Sequence, residues 1–100
     1  MQYFKSLGFA VLAQRYKTKY GEIDLIVSNS QELVFVEVKA RKRSAALENI
    51  ITQKQISRNY SAAEIFLSLF EEYKDYACRF DLIIIFGDKI SHHIQNVHLD

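Results

Sequence analysis

The sequence predicts an α/β domain, with a central mixed sheet of about five strands flanked by helices. Three observations carry this. Residues 22–28 and 33–41 alternate between apolar and polar side chains with a period of two, across a polar Asn29-Ser30-Gln31 turn. Residues 45–73 change to helical periodicity, and residues 80–86 are almost wholly apolar. A helix that follows a hairpin and leads into a strand buried on both faces builds a sheet with helices against it.

The elements follow in order. Residues 1–7 read as the last turns of a helix, stopped by Gly8 in the usual C-terminal glycine position. Residues 9–15 form the first strand, and residues 16–21 a basic turn with Lys17 and Lys19. In the second strand Ile23, Leu25 and Val27 face one way, and Glu22, Asp24 and Ile26 the other. The polar turn makes the third strand its hairpin partner, with Val34, Val36 and Val38 opposed to Leu33, Phe35, Glu37 and Lys39. In the helical region, Leu47, Ile50, Ile51, Lys54 and Arg58 recur at steps of three and four, as do Ile56, Tyr60, Ala63, Leu67 and Phe70. The stripe shifts near residues 58–61, where a break into two helices is expected. Residues 80–86 are the buried strand, Gly87-Asp88 a turn, and residues 89–97 a more polar last strand.

One hundred residues with 49% apolar and 25% charged side chains support one domain over residues 1–100. There is no proline, repeat or low-complexity linker. No apolar run approaches the roughly 18 residues that span a bilayer, and the N-terminus does not resemble a signal peptide. A cytoplasmic protein with no membrane partner is expected. The single Cys78 cannot form an internal disulfide and reads as a small apolar residue before a strand. The net charge of +1 hides an asymmetry. Residues 1–58 hold ten Lys and Arg against five Asp and Glu, whereas residues 59–100 hold three against seven. Three of the first five acids are Glu22, Asp24 and Glu37. With a cation neutralising those three, the surrounding surface is strongly basic and attracts polyanions such as phosphate backbones.

The informative segment is GEIDLIVSNSQELVFVEVKAR, residues 21–41. Alternation puts Glu22 and Asp24 on one face of their strand, and Glu37 and Lys39 on one face of theirs. Aligned in a hairpin, three carboxylates and an ammonium converge beside core positions. Charges there are costly unless their desolvation is compensated, and a divalent cation compensates it. Mg²⁺ takes one or two carboxylates with waters and substrate phosphate. Bound there, it lowers the pKa of a water and polarises a phosphate, while a lysine orients the water or stabilises developing charge. An ordinary ion network, Glu37 with Lys39, Glu22 with Lys19 and Asp24 with Arg41, accounts for the same residues equally well.

A resemblance shifts that balance. GEIDLI followed by FVEVKAR is similar to the paired motifs of the YraN-like family of small bacterial proteins. That family is grouped with Holliday-junction resolvases and other nucleases of the restriction-endonuclease-like PD-(D/E)xK superfamily. The likeness runs from YFKSLGF at the start to RFDLIII in the buried strand. It implies a restriction-endonuclease-like fold and a metal-dependent nuclease hydrolysing phosphodiester bonds in DNA, at branched or damaged structures. Asp24 then matches the first metal acid, Glu37 the second and Lys39 the motif lysine, with Mg²⁺ or Mn²⁺ as cofactor. Glu22 belongs to the motif as a further metal candidate. Lys54 stands where relatives place an auxiliary polar residue facing the site. Relatives carry another turn or two of helix before YFKSLGF, often with an acid that approaches the metal in the resolvases, so the first helix is expected to be shortened. The alternative from another class is an inactive module that keeps the fold and binds nucleic acid or a partner. A homodimer is expected by analogy with resolvases acting on two-fold junctions.

Other residues fit around this reading. Arg41, Lys42 and Arg43 leave the EVK strand beside the proposed site and are assigned to phosphate contacts, with Lys17, Lys19 and Arg58 extending the patch. Lys54, following Ile50 and Ile51, is either a semi-buried amine or one that snorkels to solvent. His92, His93 and His98 lack a spaced partner pair, which argues against zinc. Arg79 and Asp81, two apart in a strand, suggest a structural ion pair. Tyr60, Phe66, Phe70, Tyr73 and Tyr76 read as core.

Overall fold

The computed structural model describes residues 2–41 and 51–97. Its elements are α1 (Gln2–Ser6), β1 (Ala10–Lys17), β2 (Glu22–Ser28), β3 (Glu32–Arg41), α2 (Gln53–Leu69), a 3₁₀ turn (Glu71–Tyr73), β4 (Ala77–Phe86) and β5 (Lys89–Ile94). The five strands form one open mixed sheet in the order β1-β2-β3-β4-β5. β3 and β4 are parallel and every other pair is antiparallel. Parallel neighbours need a crossover, and α2 lies on it.

Local chemistry sets the boundaries. α1 ends where Gly8 adopts φ +91°, with Gly8 N–H donating to Lys5 O and Phe9 N–H to Phe4 O. This left-handed cap is the one the glycine predicts. Thr18 closes the β1–β2 turn: its hydroxyl donates to Gly21 O and accepts from the Tyr20 and Gly21 N–H groups. Asn29 does the same for β2–β3, its side-chain oxygen accepting from Gln31 and Glu32 N–H. Thr52 caps α2 in a reciprocal box with Gln55.

Each face of the sheet carries a core. On one, Phe4 of α1 packs with Phe9, Leu25, Val27, Val34, Val36 and Ile83; on the other, Ala62, Ala63 and Phe66 of α2 pack with Ile23, Ile26, Leu33 and Phe35. Full burial of a side chain such as Phe4 contributes roughly 1.5–3 kcal/mol, which anchors the short α1. On that side Asp81, 2% exposed, accepts from Arg79 Nε at 3.0 Å and Asn96 N–H at 3.1 Å, and pairs with His93 Nε2 at 2.7 Å. His93 Nδ1 meets the Tyr3 hydroxyl at 2.8 Å, tying α1 to β5, and Arg79 also pairs with Glu32.

Several expectations change. α2 is continuous through residues 58–61, and its N-terminus lies at Gln53, because the Thr52 box starts it there. The earlier part of the expected helix, residues 45–50, lies outside the described residues. The buried stripe is Ile56, Asn59, Ala62, Ala63 and Phe66; Tyr60 and Leu67 are half-buried and Phe70 is exposed. Ile23 packs with Ile26 beneath α2 instead of joining Leu25 and Val27, so the alternation of β2 is interrupted. Cys78 lies within β4 and is exposed.

Gly21 is where α2 meets the sheet. A Cβ built there would stand 2.0 Å from the Arg58 carbonyl oxygen, a main-chain atom that cannot turn aside. Gly21→Ala must therefore push α2 off the start of β2. It is expected to lower stability by about 1–3 kcal/mol, the range for overpacking a close contact, read as a shift in the urea unfolding midpoint.

Candidate metal and phosphate site

The β2–β3 ladder runs from Ser28↔Leu33 to Leu25↔Val36 and then stops. Beyond it, the Val38 N–H donates to Asp24 Oδ2 at 2.8 Å. A side-chain carboxylate thus satisfies a main-chain donor that the strand no longer serves, and the strands part around it. Glu37 continues the Leu33–Phe35 face beneath α2 and comes within hydrogen-bonding reach of Asp24. Asn59, 6% exposed in the apolar stripe of α2, lines one small cavity with Glu37 and favours its charged form. Lys39 Nζ stands 3.8 Å from Glu37 Oε2, with both side chains largely shielded.

Burial pushes the Glu37 carboxyl up to about 8, and Asp24 adds to this through its hydrogen bond and its negative charge. Lys39 and Asn59 act in the opposite direction and are outweighed. Two carboxyls pressed together with a raised pKa fit a hard divalent cation, which would relieve both the repulsion and the desolvation.

Three carboxylates do not converge as expected. Among the described residues, no group of three or more His, Cys, Asp or Glu is placed to hold a metal ion. Glu22 is exposed and lines a small cavity of about 60 Å³ with Glu37, Gln55, Arg58 and Asn59. Asp24 lines a larger one of about 510 Å³ with Gln14, Arg15, Leu25 and Val38. Glu22 thus shares the small cavity with Glu37, whereas Asp24 lines the larger one.

Lys54 is exposed, and Gln55, Arg58 and Asn59 line the cavity in its place. The phase fixed by Ile56, Ala63 and Phe66 turns position 54 away from the sheet. Asn59 escaped the sequence reading, although its signal was there: one polar residue inside an apolar stripe phased on those three. The basic residues gather by topology. The end of β1, the start of β2 and the end of β3 share one end of the sheet, which brings Lys17, Lys19, Lys39 and Arg41 there, with Arg58 beside Gly21. Lys42 and Arg43 lie outside the described residues, as does His98.

The raised Glu37 pKa fixes the sign of a pH effect. Between the ordinary value of 4.5 and about 8 the folded chain holds a proton that the unfolded chain has lost. The Glu37 contribution to stability therefore falls as pH rises through that window and is level outside it. Glu37→Gln should flatten this dependence in urea unfolding of metal-free protein. Mg²⁺ or Mn²⁺ binding near neutral pH should release about one proton, seen by calorimetry in buffers of different ionisation enthalpy and lost in Glu37→Gln.

With this geometry in view, relatives are informative. Residues 1–85 match the model of the family described as Uncharacterised protein family UPF0102. The chain is 36% identical over 92 residues to the UPF0102 protein of Nitrobacter winogradskyi, covering 92% of this chain and 78% of that one. It is 35% identical over 92 residues to one from Rhodopseudomonas palustris strain BisB18, covering 92% and 68%. It is 40% identical over 88 residues to one from Bartonella bacilliformis, covering 88% and 72%. Among the described residues no helix is long and apolar enough to cross a membrane. The match over most of its length shows that the chain belongs to the uncharacterised protein family UPF0102, the YraN-like proteins.

Proposed function

We propose that this protein is a Mg²⁺- or Mn²⁺-dependent nuclease of restriction-endonuclease-like fold that hydrolyses phosphodiester bonds in DNA, at branched or damaged structures. The observation that carries the reading is the meeting of Asp24 and Glu37, with Lys39 beside them, where the β2–β3 ladder opens. Asp24 and Glu37 are the residues that would hold the cation, through their carboxylate oxygens. When bound, the cation polarises the phosphate and lowers the pKa of a water. Asn59 keeps the Glu37 carboxyl aimed at Asp24. The Lys39 ammonium orients the attacking water or offsets the negative charge that grows on the phosphoryl oxygens. Lys17, Lys19, Arg41 and Arg58, with Lys42 and Arg43, supply phosphate contacts that place the strand without reading its bases. A cytoplasmic homodimer is part of the same proposal.

Site variants test the chemistry. Asp24→Asn and Glu37→Gln keep shape and remove cation-holding charge, so both should abolish cleavage and weaken Mn²⁺ binding. Lys39→Ala should leave cation affinity equal or higher while single-turnover cleavage falls by about 10²-fold. A Lys39→Ala rate equal to wild type would make the lysine structural. The decisive assay is wild type on branched, nicked and linear duplexes with Mg²⁺ or Mn²⁺. No cleavage of any of them would leave a binding module.

The basic surface is tested by salt. Replacing Arg41, Lys42 and Arg43 together by Ala should weaken DNA binding in Ca²⁺ and flatten its dependence on salt, because fewer counterions are released. Anisotropy titrations across a salt series read both; an unchanged slope would return these residues to ordinary solvated surface.

A further inference from the structure

Arg15 is a non-glycine residue with φ +51°, in a strand that is otherwise extended. An L side chain is disfavoured in this left-handed region, and arginine has none of the local hydrogen bonding that lets Asn or Asp occupy it. The register explains where the distortion falls. Gln14 pairs with Leu25 and Tyr16 with Ile23, so Arg15 stands opposite Asp24, where β2 has also let go of β3. Arg15 and Asp24 line the same cavity of about 510 Å³, together with Gln14, Leu25 and Val38. β1 is the edge strand, so the Arg15 side of this cavity has no further strand beside it. Arg15 is exposed, and among the described residues its guanidinium makes no ion pair or hydrogen bond.

A strained backbone held in a cavity beside a carboxylate, presenting an uncommitted guanidinium, fits the recognition of an anion. Salt-bridging Asp24 would commit the guanidinium, and that pairing is not made. We infer that Arg15 is a substrate-binding residue that grips a backbone phosphate of the DNA strand entering the Asp24–Glu37 site. The inference rests on the nuclease reading and deepens it. Guanidinium suits this task because its planar fork gives two parallel hydrogen bonds to one phosphate. The left-handed backbone at Arg15 is then the device that turns one residue of an edge strand toward the mouth of the site, as strained backbone at ligand-binding positions does. Gln14, exposed in the same wall, offers an amide to the sugar or the next phosphate.

Arg15→Asn separates binding from fold, since Asn tolerates the left-handed backbone and lacks the charge; Arg15→Lys keeps the charge and loses the fork. Fluorescence anisotropy with a labelled duplex in Ca²⁺, across a salt series, should show Arg15→Asn weakened about tenfold. Its salt slope should be lower by about one, and Arg15→Lys should be intermediate. Mn²⁺ affinity by calorimetry should be unchanged, and the Arg15→Asn melting temperature equal to wild type or higher. Wild-type affinity and slope in Arg15→Asn would overturn the assignment and leave the nuclease reading standing if wild type cleaves. Weakening that comes with a lowered melting temperature or lost Mn²⁺ affinity would also overturn it, since the residue would then act through the fold or the cation. Arg15-dependent binding by a wild type that never cleaves would keep the assignment and end the nuclease reading. A wild type that neither binds nor cleaves would end both.

Discussion

Val38 donates its N–H to the Asp24 carboxylate at 2.8 Å, where a regular antiparallel ladder would offer a main-chain carbonyl. The rest of the site depends on this exchange. It lets β2 and β3 separate after Leu25 and Val36 without orphaning a donor. It pins the Asp24 carboxyl at the fork, and it allows Glu37 to lean across toward Asp24. The fork also opens the wall between Leu25 and Val38, which becomes part of the larger cavity. Packing supports it from the other face. Gly21 admits the Arg58 main chain, α2 settles on Ile23 and Ile26, and Asn59 is delivered to Glu37.

Two clusters of buried or half-buried acids show how differently a sheet can hold carboxylates. Asp81 is enclosed, yet it receives Arg79, His93 and the Asn96 N–H, with Tyr3 completing the chain through His93. Its charge is compensated on every side, which describes a structural network. Asp24 and Glu37 face each other with one ammonium at 3.8 Å. Burial and the neighbouring acid hold Glu37 protonated to about pH 8. This pair is left less compensated than Asp81, which is the feature the proposed cation site rests on. The imbalance of charge along the chain follows the same division in part, since Lys17, Lys19, Lys39 and Arg41 collect at the sheet end that holds the pair.

Much of the fold was legible because it rests on short-range rules. Period-two patterning in residues 22–28 and 33–41, the Asn29 turn, the Gly8 cap and the apolar run of β4 each depend on neighbours in sequence. The strands, the hairpin and the helix–strand order followed from them. The same rules placed Glu37 and Lys39 on one face. They also paired Arg79 with Asp81, a contact found at 3.0 Å.

Tertiary structure decided what alternation could not. A periodic pattern assumes an unbroken strand, so it gave Ile23 to the core of Leu25 and Val27, whereas Ile23 packs with Ile26 beneath α2. The phase of α2 was likewise set by its docking on the sheet through Gly21 and the two alanines. That is why Lys54 faces solvent, while Asn59, hidden from a hydropathy pattern by its polarity, reaches Glu37. By itself the sequence determined which residue types could make the chemistry and which strands carry them, because composition and local periodicity are properties of the chain. Which of those residues meet was decided by a break in hydrogen bonding and a helix approach. Both depend on contacts between segments far apart in sequence, and no local pattern records them.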